Sequence, residues 1–138
     1  MIKYAKLPEN IEDNFTALID LFSKDKNIVF AYIFGGMARK KQSPLSDIDI
    51  AVYLAEPDKL DYLSMYSEVT ETLKTDEVDL VVLNNAKTSL AGRVLQNRKI
   101  LVDKEPFLRH KYESLTLRKF FDFKIKESAI IARRFQIG

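Results

Sequence analysis

The sequence predicts an α/β domain: a sheet flanked by helices, followed by a helical C-terminal segment. Apolar runs rich in β-branched residues, at 28–34, 47–54 and 78–83, are separated by stretches whose apolar residues recur every three or four positions, and this alternation of strands and helices builds an α/β fold. The 138 residues suffice for one core and are too few for two large ones, while four glycines and four prolines leave little room for a low-complexity linker. Beyond Pro106, no glycine or proline interrupts a helical pattern up to Gln136. The expected organisation is a single domain over 1–138, with a core over 1–103 and a helical segment over 104–138.

The first helix is expected from Pro8 to Lys24, where Ile11, Phe15, Leu18, Ile19 and Phe22 form one stripe and Glu9, Glu12 and Asp13 suit the positive end of the helix dipole. A strand from Ile28 to Phe34 stops at Gly35-Gly36, and the basic segment Met37 to Lys41 then reads as a helix start. A polar loop, Gln42 to Ser46, leads into a second strand, Asp47 to Leu54. Glu56-Pro57-Asp58 signals a crossover helix that Leu60, Leu63, Val69 and Leu73 carry to Lys74. Val78 to Leu83 is nearly continuous in apolar residues, as in a buried central strand, with Asp79 its one charge. Asn84-Asn85 marks a turn, Ser89 to Arg98 a short helix weakened by Gly92, and Ile100 to Val102 an edge strand.

Side chains of a strand alternate faces, so Asp47 and Asp49 project from one side and Ile48 and Ile50 from the other. Neighbouring carboxylates repel, and a fold keeps such a pair where a cation, a shared proton or basic partners offset the repulsion. A divalent ion that prefers hard oxygen ligands, Mg2+ or Mn2+, is the expected remedy, because it binds through a few carboxylates and completes its shell with water and phosphate. Gly35-Gly36 suits the phosphate: without Cβ atoms, backbone N–H groups at a helix start approach an anion closely. Against this stand plainer readings, Asp-x-Asp as a solvated loop-to-strand junction and Arg39, Lys40 and Lys41 as a solvated basic face. Asp79, a lone acid in an apolar strand, favours catalysis by offering a third carboxylate. No Gly-x4-Gly-Lys-Ser/Thr and no Gly-x-Gly-x-x-Gly occurs, which removes the P-loop and dinucleotide-binding readings. Cysteine is absent, so thiol catalysis, disulfides and cysteine-ligated zinc are excluded; His110, the sole histidine, is read as a surface or packing residue.

These residues resemble the minimal nucleotidyltransferases of the DNA polymerase β superfamily, whose signature is Gly-Ser or Gly-Gly, about ten residues, Asp-x-Asp, and a third carboxylate on a later strand. Gly35-Gly36, Asp47-Ile48-Asp49 and Asp79 are the matching positions. The resemblance implies a polymerase β palm-like mixed sheet, with catalytic and metal-binding roles for Asp47, Asp49 and Asp79. It implies Mg2+, as two ions, or Mn2+ as cofactor, ATP as substrate, and nucleotide contacts from Gly35, Gly36, Arg39 and Ser46. Gly36 stands where the family usually carries serine, so nucleotide binding is expected to rest on backbone N–H groups and Arg39. Asn97-Arg98 replaces the glycine usual before the last strand.

Minimal members of this family are commonly the antitoxin half of a pair whose other half is a HEPN ribonuclease. The implied function is transfer of AMP from ATP to a tyrosine of that toxin, which silences it. Two alternatives stand beside it: transfer to a small-molecule hydroxyl, and an inactive antitoxin that only binds its partner. The tail favours a protein partner, since from Lys104 onward nine basic side chains face four acidic ones, whereas the preceding residues carry 13 basic and 16 acidic. Phe120, Phe121 and Phe123 put aromatics on more than one side of a helix, so this segment is expected to bind the toxin or a second copy of the chain. Direct nucleic-acid binding is not expected, because these Phe residues lie at helical spacings and form no stacking motif. The longest unbroken apolar run is Ile28 to Phe34, so neither a signal peptide nor a membrane span is expected, and the cytoplasm is the predicted location.

Overall fold

A computed structural model of the chain describes residues 11–35 and 47–135. The elements are α1 (Ile11–Lys24), β1 (Ile28–Phe34), β2 (Ile48–Leu54), α2 (Tyr62–Leu73), β3 (Val78–Val82), α3 (Thr88–Gln96), β4 (Arg98–Asp103) and α4 (Pro106–Phe135). The strands form one mixed sheet in the order β3-β2-β1-β4, with β1 antiparallel to β2 and β4, and β2 parallel to β3. Helices cover both faces. Leu18 and Phe22 of α1 and Met65, Val69 and Leu73 of α2 pack on one face; Val94 and Leu95 of α3, with Leu108, Tyr112 and Leu117 of α4, pack on the other. β1 is buried from both sides, which is why its sequence is unbroken in apolar residues.

Three expectations are corrected. β3 is an edge strand of the sheet, not a central one. β1 already bonds β2 and β4 on its two sides, so a strand brought parallel to β2 by the α2 crossover has only the outer side of β2 to join. The crossover helix begins at Tyr62, because Glu56-Pro57-Asp58 yields only a 3-10 turn, Pro57–Lys59. Asp61 then caps α2 by accepting from the Ser64 N–H at 3.2 Å, and Leu63 is left 75% exposed. Phe120 drops out of the expected interface because it is buried within the molecule. Its ring occupies the space a Cβ on Gly92 would need, so this glycine permits α3 and α4 to approach closely where the sequence suggested a weak helix.

α4 is a single helix of 30 residues, about 45 Å long. Its first half is fixed to the sheet by a charged junction. Glu113 accepts from the Tyr32 hydroxyl at 2.7 Å, from Arg98 Nε at 2.9 Å and from Arg109 Nη1 at 2.9 Å, while Arg109 Nε reaches Asp103 at 2.8 Å. Burial alone would raise the Glu113 carboxyl; the Tyr32 hydroxyl and the two guanidinium groups hold it below the usual glutamate range. Arg98, the departure from the family's glycine, therefore serves the attachment of α4. From Phe121 to Arg134 the helix is exposed at every position except Ala132. No helix among the described residues is long and apolar enough to cross a membrane.

Candidate active site

Alternation decides which face of the sheet carries the carboxylates. Ile48, Ile50, Val52 and Leu54 of β2 point to the α1/α2 layer, so Asp49 shares the opposite face with Ala51. In β3, Val78 and Leu80 face α1/α2, and Asp79 takes the other side. The parallel register sets Asp49 directly opposite Asp79, and the antiparallel register sets it opposite Phe34 at the end of β1. Asp47, one residue before β2, has the same parity.

The pair is electrostatically uncomfortable. Burial first, then the charges of Asp79 and Asp47, push the Asp49 carboxyl up from 3.8 to about 6. Asp79 itself is exposed at the strand edge. Gly35, at φ +72°, turns the chain out of β1 in a conformation that L side chains rarely adopt, and a Cβ there would collide with Oδ2 of Asp49. Gly35 thus lets the backbone lie directly against the carboxylate.

These residues line an open cleft of about 330 Å3 bounded by Phe34, Gly35, Asp49, Asp79, Leu90, Arg93 and Asn97. The structure brings Gly35, Asp47, Asp49 and Asp79 together as the sequence anticipates. Gly36, Arg39 and Ser46, together with the anticipated helix start at 37–41, lie outside the described residues. Arg93 and Asn97 were not assigned to the site by sequence; their signal is the i, i+3, i+7 spacing of Leu90, Arg93 and Asn97 along α3 and its C-terminal cap, beside the buried Ala91, Val94 and Leu95. His110 is exposed, away from this cleft.

The donor set is all oxygen and all anionic, which suits a hard divalent cation. Among the described residues, no group of three or more His, Cys, Asp or Glu could hold a metal ion by itself. Mg2+ commonly binds through one or two carboxylates and fills its remaining positions with water and substrate phosphates. The in-register carboxylates of Asp49 and Asp79 are the pair that such an ion would use, with Asp47 close enough to act on Asp49 by its charge.

A family described as Polymerase beta, Nucleotidyltransferase matches residues 16–107, well over half the chain. This chain belongs to the polymerase beta nucleotidyltransferase family. The matched span runs from α1 into the first turn of α4 and contains Gly35, Asp47, Asp49, Asp79 and Arg93. Solved structures with a similar fold include a toxin–antitoxin complex with AMP-PNP, 27% identical with a TM-score of 0.72, covering 88% of this nucleotidyltransferase and 98% of that chain. Another contains the tri-AMPylated HEPN toxin of Shewanella oneidensis with its MNT antitoxin, at 25% identity and a TM-score of 0.68, covering 90% and 98%. A third is the MntA–HepT toxin–antitoxin pair, at 26% identity and 0.67, again covering 90% and 98%. No curated protein matches the chain. The resemblance to minimal nucleotidyltransferases, the palm-like mixed sheet and the enzyme class are thus borne out.

Proposed function

We propose that this nucleotidyltransferase transfers AMP from ATP to a tyrosine of a partner HEPN ribonuclease toxin, in the cytoplasm, and so acts as an antitoxin. The observation that carries this reading is the in-register pair Asp49–Asp79 beside Gly35 in an open cleft. Asp47, Asp49 and Asp79 would hold the divalent cation, and Gly35 with Gly36, Arg39 and Ser46 would receive the triphosphate. A bound Mg2+ supplies charge neutralisation of the triphosphate and a template for in-line displacement. The phenolic oxygen of the acceptor bonds to the α-phosphorus, the bond from that phosphorus to the bridging oxygen breaks, and pyrophosphate leaves. Asp79, at the exposed edge of the cleft, takes the phenolic proton. Transfer of this kind demands positioning and charge neutralisation more than covalent help, which matches a site built of carboxylates and backbone.

The second half of α4 supports a protein acceptor. Phe121, Phe123, Ile130 and Ile131 are 50%, 42%, 59% and 46% exposed, and the last three line an open groove of about 300 Å3 with Lys126 and Glu127. The toxin is the proposed occupant, on an acidic and partly apolar face of its own; self-association of α4 is the competing outcome.

Purified protein, a HEPN toxin as candidate partner and ATP labelled at the α-phosphate test this reading. Label should appear on a toxin tyrosine, require Mg2+, and disappear with Asp49→Asn. Label on a small-molecule hydroxyl alone, or a stable complex that never acquires label, would replace it with one of the two alternatives. Light scattering of the mixture reads the interface: a Phe121→Asp, Phe123→Asp variant that melts normally should lose the complex.

A further inference from the structure

We infer that Arg93 of α3 is a nucleotide-binding residue that engages the phosphates of the substrate from the side of the cleft opposite the β2–β3 carboxylates. The inference rests on the nucleotidyltransferase reading of this cleft and adds a residue to it.

Position in the helix does not explain Arg93 by itself. A cation in the last turn of α3 gains a little from the helix dipole wherever it points around the helix. Its direction is the informative part. Gly92 must face the Phe120 ring, and Val94 and Leu95 are buried in the sheet-facing core, so the helix is rotationally fixed and the face bearing Leu90, Arg93 and Asn97 is turned into the cleft. The guanidinium is held at the wall of the same space as Asp49 and Asp79.

Its lack of engagement is the second point. Arg98 and Arg109, by contrast, are tied into carboxylates at 2.8 to 2.9 Å. Arg93 is exposed and forms no ion pair among the described residues, although it shares a cleft with two carboxylates. A planar five-donor group beside an anionic pair, left free by both, matches a ligand that carries negative charge and arrives between them. A triphosphate is such a ligand: the carboxylates face it through a cation, and Arg93 faces it directly with charge-assisted hydrogen bonds. As pyrophosphate departs, the same guanidinium stabilises the charge that develops on it.

Calorimetric titration of the full chain with Mg2+ and α,β-methylene-ATP, which cannot transfer AMP, tests the assignment, with adenosine as the phosphate-free control. Arg93→Ala should weaken binding of the triphosphate by about 10- to 100-fold, the loss expected for a hydrogen bond to a charged group. Adenosine binding and the melting temperature should not change, because the side chain is exposed and forms no ion pair among the described residues, and Arg93→Lys should recover part of the affinity. Equal triphosphate affinity in wild type and Arg93→Ala overturns the assignment while leaving the transferase reading intact; so does an equal loss for adenosine, which would mean that α3 itself had shifted. Wild-type protein that binds no nucleotide overturns both.

Discussion

Two clusters of charged side chains, one on each side of β1, are built on opposite terms. At the junction of β1, β4 and α4, Glu113 is surrounded by a hydroxyl and two guanidinium groups at 2.7 to 2.9 Å, and its carboxyl is held low. At the junction of β2 and β3, Asp49 has Asp79 across the register and Asp47 two residues away, and its carboxyl is pushed up to about 6. The first cluster is complete within the molecule and its role is attachment of α4. The second has no ion-pair partner among the described residues, which marks it as a candidate binding site rather than a strut.

The contrast breaks hardest at Glu113. Glu113→Gln leaves the buried Arg109 and the partly exposed Arg98 without their shared carboxylate, a change that costs about 3 kcal/mol and lowers the melting temperature by on the order of 10 °C. A thermal melt within a few degrees of wild type would show that the junction is not what holds α4. Gly35→Ala is expected to cost less, about 1–2 kcal/mol for the left-handed backbone, yet to damage the site more, because the new methyl meets Oδ2 of Asp49. Its signature is weakened Mg·ATP binding in a protein that still folds, measured by titration alongside a melt.

The smallest effect has the more unusual sign. Asp49→Asn should abolish transfer and stabilise the cation-free protein by about 1 kcal/mol, after allowance for solvent screening of a half-buried group, since it removes a repelled charge. The pH dependence separates the two clusters. Asp49 has a raised value in the fold, so its contribution is fully present below 3.8 and is lost as pH rises through about 6. Glu113 has a lowered value, so its contribution is present above the ordinary 4.5 and is lost as pH falls below it. The cation-free melting temperature should therefore decline from pH 4 to 6 in wild type, and Asp49→Asn should flatten that decline. Glu113→Gln should leave it in place while removing part of the acid limb. Because the cation must displace the proton on Asp49, Mg2+ affinity measured by titration should fall as pH drops through about 6.

What the residues determine locally and what the fold adds differ for a physical reason. Periodicity is local, so the apolar run of β1, the stripe of α1, the uninterrupted pattern of α4 and the shared parity of Asp47 and Asp49 are legible in the chain itself. Even the attachment of α4 leaves a trace, the i, i+4 pair Arg109 and Glu113, which reads equally well as a solvated surface pair until Tyr32 and Arg98 are seen beside it. Pairing partners are not local. That β3 lies at the edge of the sheet, that Asp79 meets Asp49 rather than another residue of β2, and that Gly92 receives the ring of Phe120 all depend on segments tens of residues apart. Arg93 is the sharpest instance: its helix and charge are legible in the sequence, but only the docking of α3 against α4 and the sheet puts it on the wall of the cleft that holds the carboxylates.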